Sequence, residues 1–447
     1  MDGTLLALIA GLAVLVLLAV RVPIAFGLLA VGIAGLFAIG AMRLGGFNVD
    51  FGWRSTVSML ARDPYSFVAS FTLMAIPMFL LMGNFAFYSG ATSDAYRTAR
   101  VWLANLPGGL ALASIAACGL FAAISGSSLA TAAAMGRIAV PEMLRYGYDQ
   151  RLAAGAVAAG GTLGALIPPS ILMVIFGIFA EQSIGRLLIG GIVPGILTAV
   201  TYMLLVTARV KLNPRLAPGF DERFTWSQKV RSLGGTWQIM LIFLVIITVI
   251  YTGVVTPTEA AAVGAVAVLA LGVIRRRIGL TSMWEAVRET VVQTAMIFAI
   301  AIASKVLVSF VAFTGVSNDL AEWAGGIEGG RIMVLAGICA GYVLLGMFMD
   351  PIGIMLLTLP VVVPIVDAIG YDLVWFGIVL VKLLEVGMIT PPVGLNVFVL
   401  KAAIGNSVSL ENVFRGIGPF LLMDVVTLAI MIALPELVLW LPDMMYN

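Results

Sequence analysis

Four polar interruptions in an otherwise apolar chain carry most of its possible chemistry. The first is Ser125-Gly126-Ser127-Ser128, with Thr131 one turn on, and the second runs from Gly161-Thr162-Leu163-Gly164 to Pro168-Pro169-Ser170. The third is Met349-Asp350-Pro351, and the fourth runs from Gly387 through Thr390-Pro391-Pro392-Val393-Gly394-Leu395-Asn396. Consecutive prolines remove backbone donors and push the preceding residue out of the helical region, so a helix that meets them breaks. Carbonyls freed by the break, with nearby hydroxyls and a carboxylate, supply the hard oxygen shell that an alkali cation needs. Ser125, Gly126, Ser127, Ser128 and Gly164 are the cation-binding candidates of one half-site. Asp350, Gly387, Thr390, Gly394 and Asn396 are those of a second. Hydroxyls and carbonyls outnumber carboxylates at these breaks, which favours sodium over a proton.

Ionisable side chains inside apolar segments form the other set of candidates. Lys382 and Glu385 are three apart and can either satisfy one another or meet a solute. Lys305 can meet an anionic solute, snorkel to an interface or pair with a neighbouring carboxylate. Arg137 is expected to reach the cytoplasmic interface, and Asp424 and Glu181 to be structural. Thr131, Ser170, Lys305 and Lys382 make up the solute-binding candidates, and helix N-termini at the breaks favour a carboxylate on that solute.

These residues need a membrane to sit in, and the composition supplies one. The chain is 61% hydrophobic and 11% charged, against roughly 45–50% and about 25% in soluble domains. A soluble enzyme is excluded. There is no histidine, and the two cysteines, Cys118 and Cys339, lie in apolar segments, so no transition-metal site and no organic cofactor is expected. No GxxxxGK[ST] string occurs, and no basic cluster is interleaved with aromatics, which removes ATP hydrolysis and nucleic acid as expectations.

Splitting the chain at its polar interruptions predicts an all-α polytopic membrane protein. Ten spans are expected, at roughly 4–20, 23–41, 70–88, 150–181, 187–208, 237–254, 259–274, 290–313, 373–403 and 416–440. Two further segments, 106–145 and 331–368, carry a polar break near the middle and read as re-entrant hairpins. Most of the 25 Lys and Arg residues fall on one side if both termini are periplasmic, which is the orientation the positive-inside rule selects.

Laid on itself at an offset of 223, the chain matches Val140-Pro141 to Val363-Pro364, Gly147-Tyr148-Asp149 to Gly370-Tyr371-Asp372, and Pro168-Pro169 to Pro391-Pro392. The expected organisation is a first repeat at 1–208, with hairpin 106–145 and broken helix 150–181. A cytoplasmic linker follows at 209–236, and a second repeat at 237–447 holds hairpin 331–368 and broken helix 373–403. An odd number of spans per repeat inverts the copies relative to each other, the plan of many secondary transporters.

Five strings also resemble the large membrane subunit of TRAP (tripartite ATP-independent periplasmic) transporters. They are Ala75-Ile76-Pro77-Met78-Phe79-Leu80-Leu81-Met82-Gly83-Asn84, Ser125-Gly126-Ser127-Ser128, Gly164-Ala165-Leu166-Ile167-Pro168-Pro169-Ser170, Thr256-Pro257-Thr258-Glu259-Ala260-Ala261-Ala262, and Glu385 through Gly394. The resemblance implies an elevator-type, sodium-driven importer of organic acids in the bacterial inner membrane, with sodium at the hairpin apices near Ser127 and Asp350. It also implies two partners, a small four-helix membrane subunit and a periplasmic substrate-binding protein. The competing expectations are a stand-alone ion-coupled carboxylate or ion transporter of similar plan and, more weakly, a membrane-embedded enzyme, for which no nucleophile–base set is evident.

Overall fold

The computed structural model describes residues 3–42, 47–219, 224–327 and 330–445, which form helices and no strand. The first half runs α1 (Gly3–Ala19), α2 (Ile24–Met42), α3 (Val49–Val68), α4 (Ala75–Tyr88), α5 (Ala91–Leu103), α6 (Gly109–Ser125), α7 (Ser128–Arg145), α8 (Gln150–Gly161), α9 (Leu163–Leu166), α10 (Ile171–Phe179), α11 (Ile184–Gly190) and α12 (Ile192–Leu212). The second runs α13 (Trp226–Tyr251), α14 (Pro257–Ile274), α15 (Leu280–Thr314), α16 (Val316–Gly325), α17 (Arg331–Gly346), α18 (Pro351–Ala368), α19 (Leu373–Ile389), α20 (Leu395–Ile404), α21 (Leu410–Ala433) and α22 (Pro435–Met444).

Among the described residues, seven unbroken helical segments are long and apolar enough to cross a bilayer, and two bent pairs raise the number to nine. The sequence led us to expect ten spans and two hairpins. The differences have local causes. α1 stops at 17 residues, and α19 stops at 17 because Pro391-Pro392 cuts it from α20. The span expected at 416–440 ends at Ala433, where Pro435 opens a separate short helix. The span expected at 290–313 is part of a 35-residue helix, α15, longer than a bilayer requires. Helices α3, α5 and α16 were not expected; each is too polar to register as an apolar run.

Residues 220–223 of the expected linker lie outside the described residues, as do Met1 and Asn447. On either side of that gap, α12 continues to Leu212 and α13 begins at Trp226 behind a capping box formed by Thr225 and Gln228. The Thr256-Pro257-Thr258-Glu259 string is another such box. Glu259 accepts a bond from the Thr256 backbone N–H at 2.8 Å while Thr256 accepts from that of Glu259 at 3.3 Å.

The internal offset reappears in the fold. α7 and α18 begin and end at equivalent positions, with Ser127 and Asp350 as their N-caps. Asp149 and Asp372 cap α8 and α19, Gly147 and Gly370 are both left-handed, and both Pro-Pro bonds are cis. The halves also exchange pieces. α20 packs on α7 of the first half, and α10 packs on α18 of the second. One apolar core accordingly mixes α5–α8 and α12 with α20 and α21, and another mixes α4, α10 and α11 with α13–α15 and α17–α19. A smaller core joins α1, α2 and α15.

Candidate cation and solute site

At the first hairpin apex, α6 ends at Ser125 and the chain turns through Gly126, whose φ of 61° is open to glycine without strain. A Cβ on Gly126 would lie 2.3 Å from the Pro169 carbonyl oxygen, so apex and interrupted helix are in direct contact. Gly164, in the short helix before the prolines, leaves only 2.6 Å between an added Cβ and the Ser127 carbonyl oxygen. Thr131 Oγ1 donates to that carbonyl at 2.8 Å and lies 3.1 Å from Ser125 Oγ. Ser125, Gly126, Ser127, Ser128, Thr131 and Gly164 are thus brought together. Ser170 is close by in sequence but buried, with its hydroxyl capping α10 by accepting from the Met173 N–H at 3.2 Å.

At the second apex, Asp350 caps α18, its carboxylate accepting from the Gly353 N–H at 2.9 Å. The first arm of this hairpin ends at Gly346, and a Cβ on Gly387 would sit 2.6 Å from the Gly346 Cα. Beyond it, Thr390 Oγ1 donates to the Val386 carbonyl at 2.6 Å, and left-handed Gly394 leads into α20. Asn396 is fully buried, and neither polar atom of its amide has a partner. An orphaned buried amide is the kind of group that a bound ion or water satisfies. No hydrogen bond joins Asp350 to Thr390 or Asn396 among the described residues. The second half-site is therefore more spread out than the first.

Both apices open on a cavity of about 760 Å³. One wall is formed by Ser125, Gly126, Ser127 and Ser128, by Asp350 and Pro351, and by Glu385 and Met388 of α19. The opposite wall belongs to α4 and α15, through Asn84, Tyr88, Glu289, Gln293 and Met296. Ser128 Oγ donates to Glu385 Oε1 at 2.6 Å, and Glu385 Oε2 has no partner. On the far wall, Tyr88 donates to Glu289 and Asn84 to Thr290, each at 2.9 Å. This polar wall was missed in the sequence. Asn84 and Tyr88 are four apart, as are Glu289 and Gln293, and that spacing on two apolar helices was the available signal. Arg137 was expected at the cytoplasmic interface; it lines this cavity.

The two lysines proposed to meet solute do not line the cavity. Lys382 was expected to pair with Glu385 or to touch solute, and its ion pair is instead with Asp424. Its ammonium bonds Asp424 Oδ1 at 2.5 Å and Thr198 Oγ1 at 3.3 Å, fully buried, with Tyr202 donating to the same carboxylate at 2.5 Å. The helical pitch turns Lys382 toward α12 and α21 while Glu385 faces the first apex. Lys305 is half-buried on α15 and has no ion pair among the described residues.

A family model described as "Tripartite ATP-independent periplasmic transporter, DctM component" matches residues 12–437. The C4-dicarboxylate TRAP transporter large permease protein DctM of Pseudomonas aeruginosa is 38% identical over 409 residues, covering 90% of this chain and 92% of that protein. The isethionate TRAP transporter permease protein DctMQ of Oleidesulfovibrio alaskensis is 32% identical over 430 residues, covering 94% of this chain and 64% of that protein. In fold, the chain is similar to the crystal structure of the Alcanivorax borkumensis YdaH transporter, with a TM-score of 0.63 at 13% identity over 93% of this chain and 96% of that one. Matched from its first helix to its last, the chain belongs to the DctM family of TRAP transporters, and it is a multi-pass transport component rather than an enzyme.

Proposed function

We infer that this chain is the large permease of a sodium-coupled importer of organic anions in a bacterial inner membrane, with both termini in the periplasm. Its cargo is handed over by a periplasmic binding protein, and a small membrane subunit of four helices completes the assembly. The observation that carries this reading is the meeting of each hairpin apex with a proline-broken helix beside one cavity, most closely where Gly126 abuts the Pro169 carbonyl and Gly164 that of Ser127. Freed carbonyls and hydroxyls at such a junction suit sodium. The relatives named for C4-dicarboxylate and isethionate both carry anionic cargo, a carboxylate in one and a sulfonate in the other.

The cavity is bounded on one side by the apices and on the other by α4 and α15. In the elevator reading, hairpins and broken helices move together past that second wall and carry the cavity across the bilayer. The test is uptake by proteoliposomes holding this chain and its small subunit. Accumulation that needs both an inward sodium gradient and the binding protein supports the reading. Full uptake by the chain alone would favour a self-sufficient carrier.

A further inference from the structure

Away from the cavity, three buried side chains from three helices meet, and none of them lines it. Lys382 of α19 and Tyr202 of α12 both donate to Asp424 Oδ1 of α21, each at 2.5 Å. The second oxygen, Oδ2, is buried and unpartnered among the described residues. On its other side the Tyr202 hydroxyl lies 3.4 Å from Thr162 Oγ1, at the start of the first helix break and shortly before Gly164. The cluster bridges the two large apolar cores. Tyr202 belongs to one of them with Phe420, whose ring stands edge-on to it at 5.3 Å between centroids. Leu380, Val381, Leu383 and Leu384, which flank Lys382, belong to the other. α21 is seated on α8 by backbone contact, since a Cβ on Gly155 would lie 2.5 Å from the Gly416 carbonyl oxygen. Asp424 therefore holds α19 from a support anchored in the opposite core. Lys382 and Glu385 are about 60° apart around the axis of α19. A rotation that released Lys382 would also carry Glu385 off Ser128 and Gly387 off Gly346.

Resting on the sodium-site reading above, we propose that Lys382, Asp424 and Tyr202 are positioning residues for the cation sites, fixing the rotation at which α19 meets both hairpin apices. Apolar side chains of similar volume would fill the same space without selecting one rotation. The cluster touches no cation itself; it acts through Glu385 and Gly387 on one side and through Thr162 on the other.

The experiment measures binding of labelled sodium, together with thermal unfolding, for the complex of this chain with its small subunit in detergent. The variants are Tyr202→Phe and the double variant Lys382→Met with Asp424→Leu. Trp375→Phe is the control, because it removes another buried bond between α19 and α21, from the indole N–H to the Met431 carbonyl at 2.9 Å, without touching the cluster. Both cluster variants are expected to weaken sodium binding about fivefold, the double variant doing so at an unfolding temperature near that of wild type. Trp375→Phe is expected to lose stability and keep the sodium affinity of wild type. Wild-type sodium affinity in Tyr202→Phe or in the folded double variant overturns the proposal, since the cluster would then supply stability alone. So does a loss of affinity in Trp375→Phe as large as in the cluster variants. A wild-type complex with no saturable sodium binding would overturn the sodium-site reading itself, and this inference with it.

Discussion

Ser128, the first residue of α7, donates a 2.6 Å hydrogen bond to Glu385 of α19, 257 residues further along the chain. The bond ties the apex of one hairpin to the broken helix of the other half, inside the cavity that both line. With Glu385 Oε2 unpartnered and the Lys382 ammonium bonded to Asp424, this hydroxyl is the hydrogen-bond partner of the Glu385 carboxylate among the described residues.

Ser128→Ala should therefore cost more than a surface hydroxyl would. Leaving a buried acceptor without its donor typically costs about 1–3 kcal/mol. Glu385→Gln, which keeps the shape and an acceptor, should cost less. Thermal unfolding of both single variants and the double variant in detergent checks this, with strong non-additivity expected for residues in direct contact. Additive effects would show that the bond is incidental.

Asp350 has two separable roles. Its side chain caps α18 through the Gly353 N–H, and a lost N-cap costs about 1 kcal/mol. It also supplies the carboxylate at the second apex. Asp350→Asn keeps the cap and removes the charge, so it should unfold near the wild-type temperature yet need more sodium for half-maximal uptake. Asp350→Ala should show both defects. Equal sodium activation in wild type and Asp350→Asn would remove the carboxylate from the cation site.

Lys382 and Asp424 form a fully buried pair, and removing one partner of such a pair costs about 3–5 kcal/mol. Lys382→Ala or Asp424→Ala should be poorly expressed or strongly destabilised. Lys382→Met combined with Asp424→Leu should recover most of the stability, because apolar residues of similar volume replace a buried ion pair at little cost. As Lys382 lies off the cavity, the double variant should keep its KM for cargo. A large rise in KM without loss of stability would instead place Lys382 on the cargo.

Much of the arrangement was legible in the sequence because its signals are local. Paired prolines break helices wherever they fall, and Ser-Gly-Ser-Ser and Met-Asp-Pro contain the caps that restart α7 and α18. What could not be read depends on rotation and on distant partners. Whether Lys382 faces Glu385, three residues away, or Asp424, forty-two away, is decided by how α19 is turned against α12 and α21. The α4–α15 wall went unseen because Asn84 and Tyr88 occur singly at the end of an apolar run, while Glu289 and Gln293 fall in the mixed polar stretch that opens α15. Short amphipathic helices such as α5, whose buried face includes Ala91, Ala95, Tyr96 and Ala99, were hidden by a search tuned to unbroken apolar length.

Binding of labelled sodium to the purified chain addresses the cation sites most directly, comparing wild type with Gly164→Ala, Gly387→Ala and Gly337→Ala. An added Cβ would stand 2.6 Å from backbone atoms at Gly164 and Gly387, against the Ser127 carbonyl oxygen and the Gly346 Cα, and would meet nothing within 4 Å at Gly337. The expected result is saturable sodium binding in wild type and Gly337→Ala, and a clear loss in each of the other two. Equal sodium binding in all four proteins would contradict cation sites at the junctions of hairpin apices and broken helices.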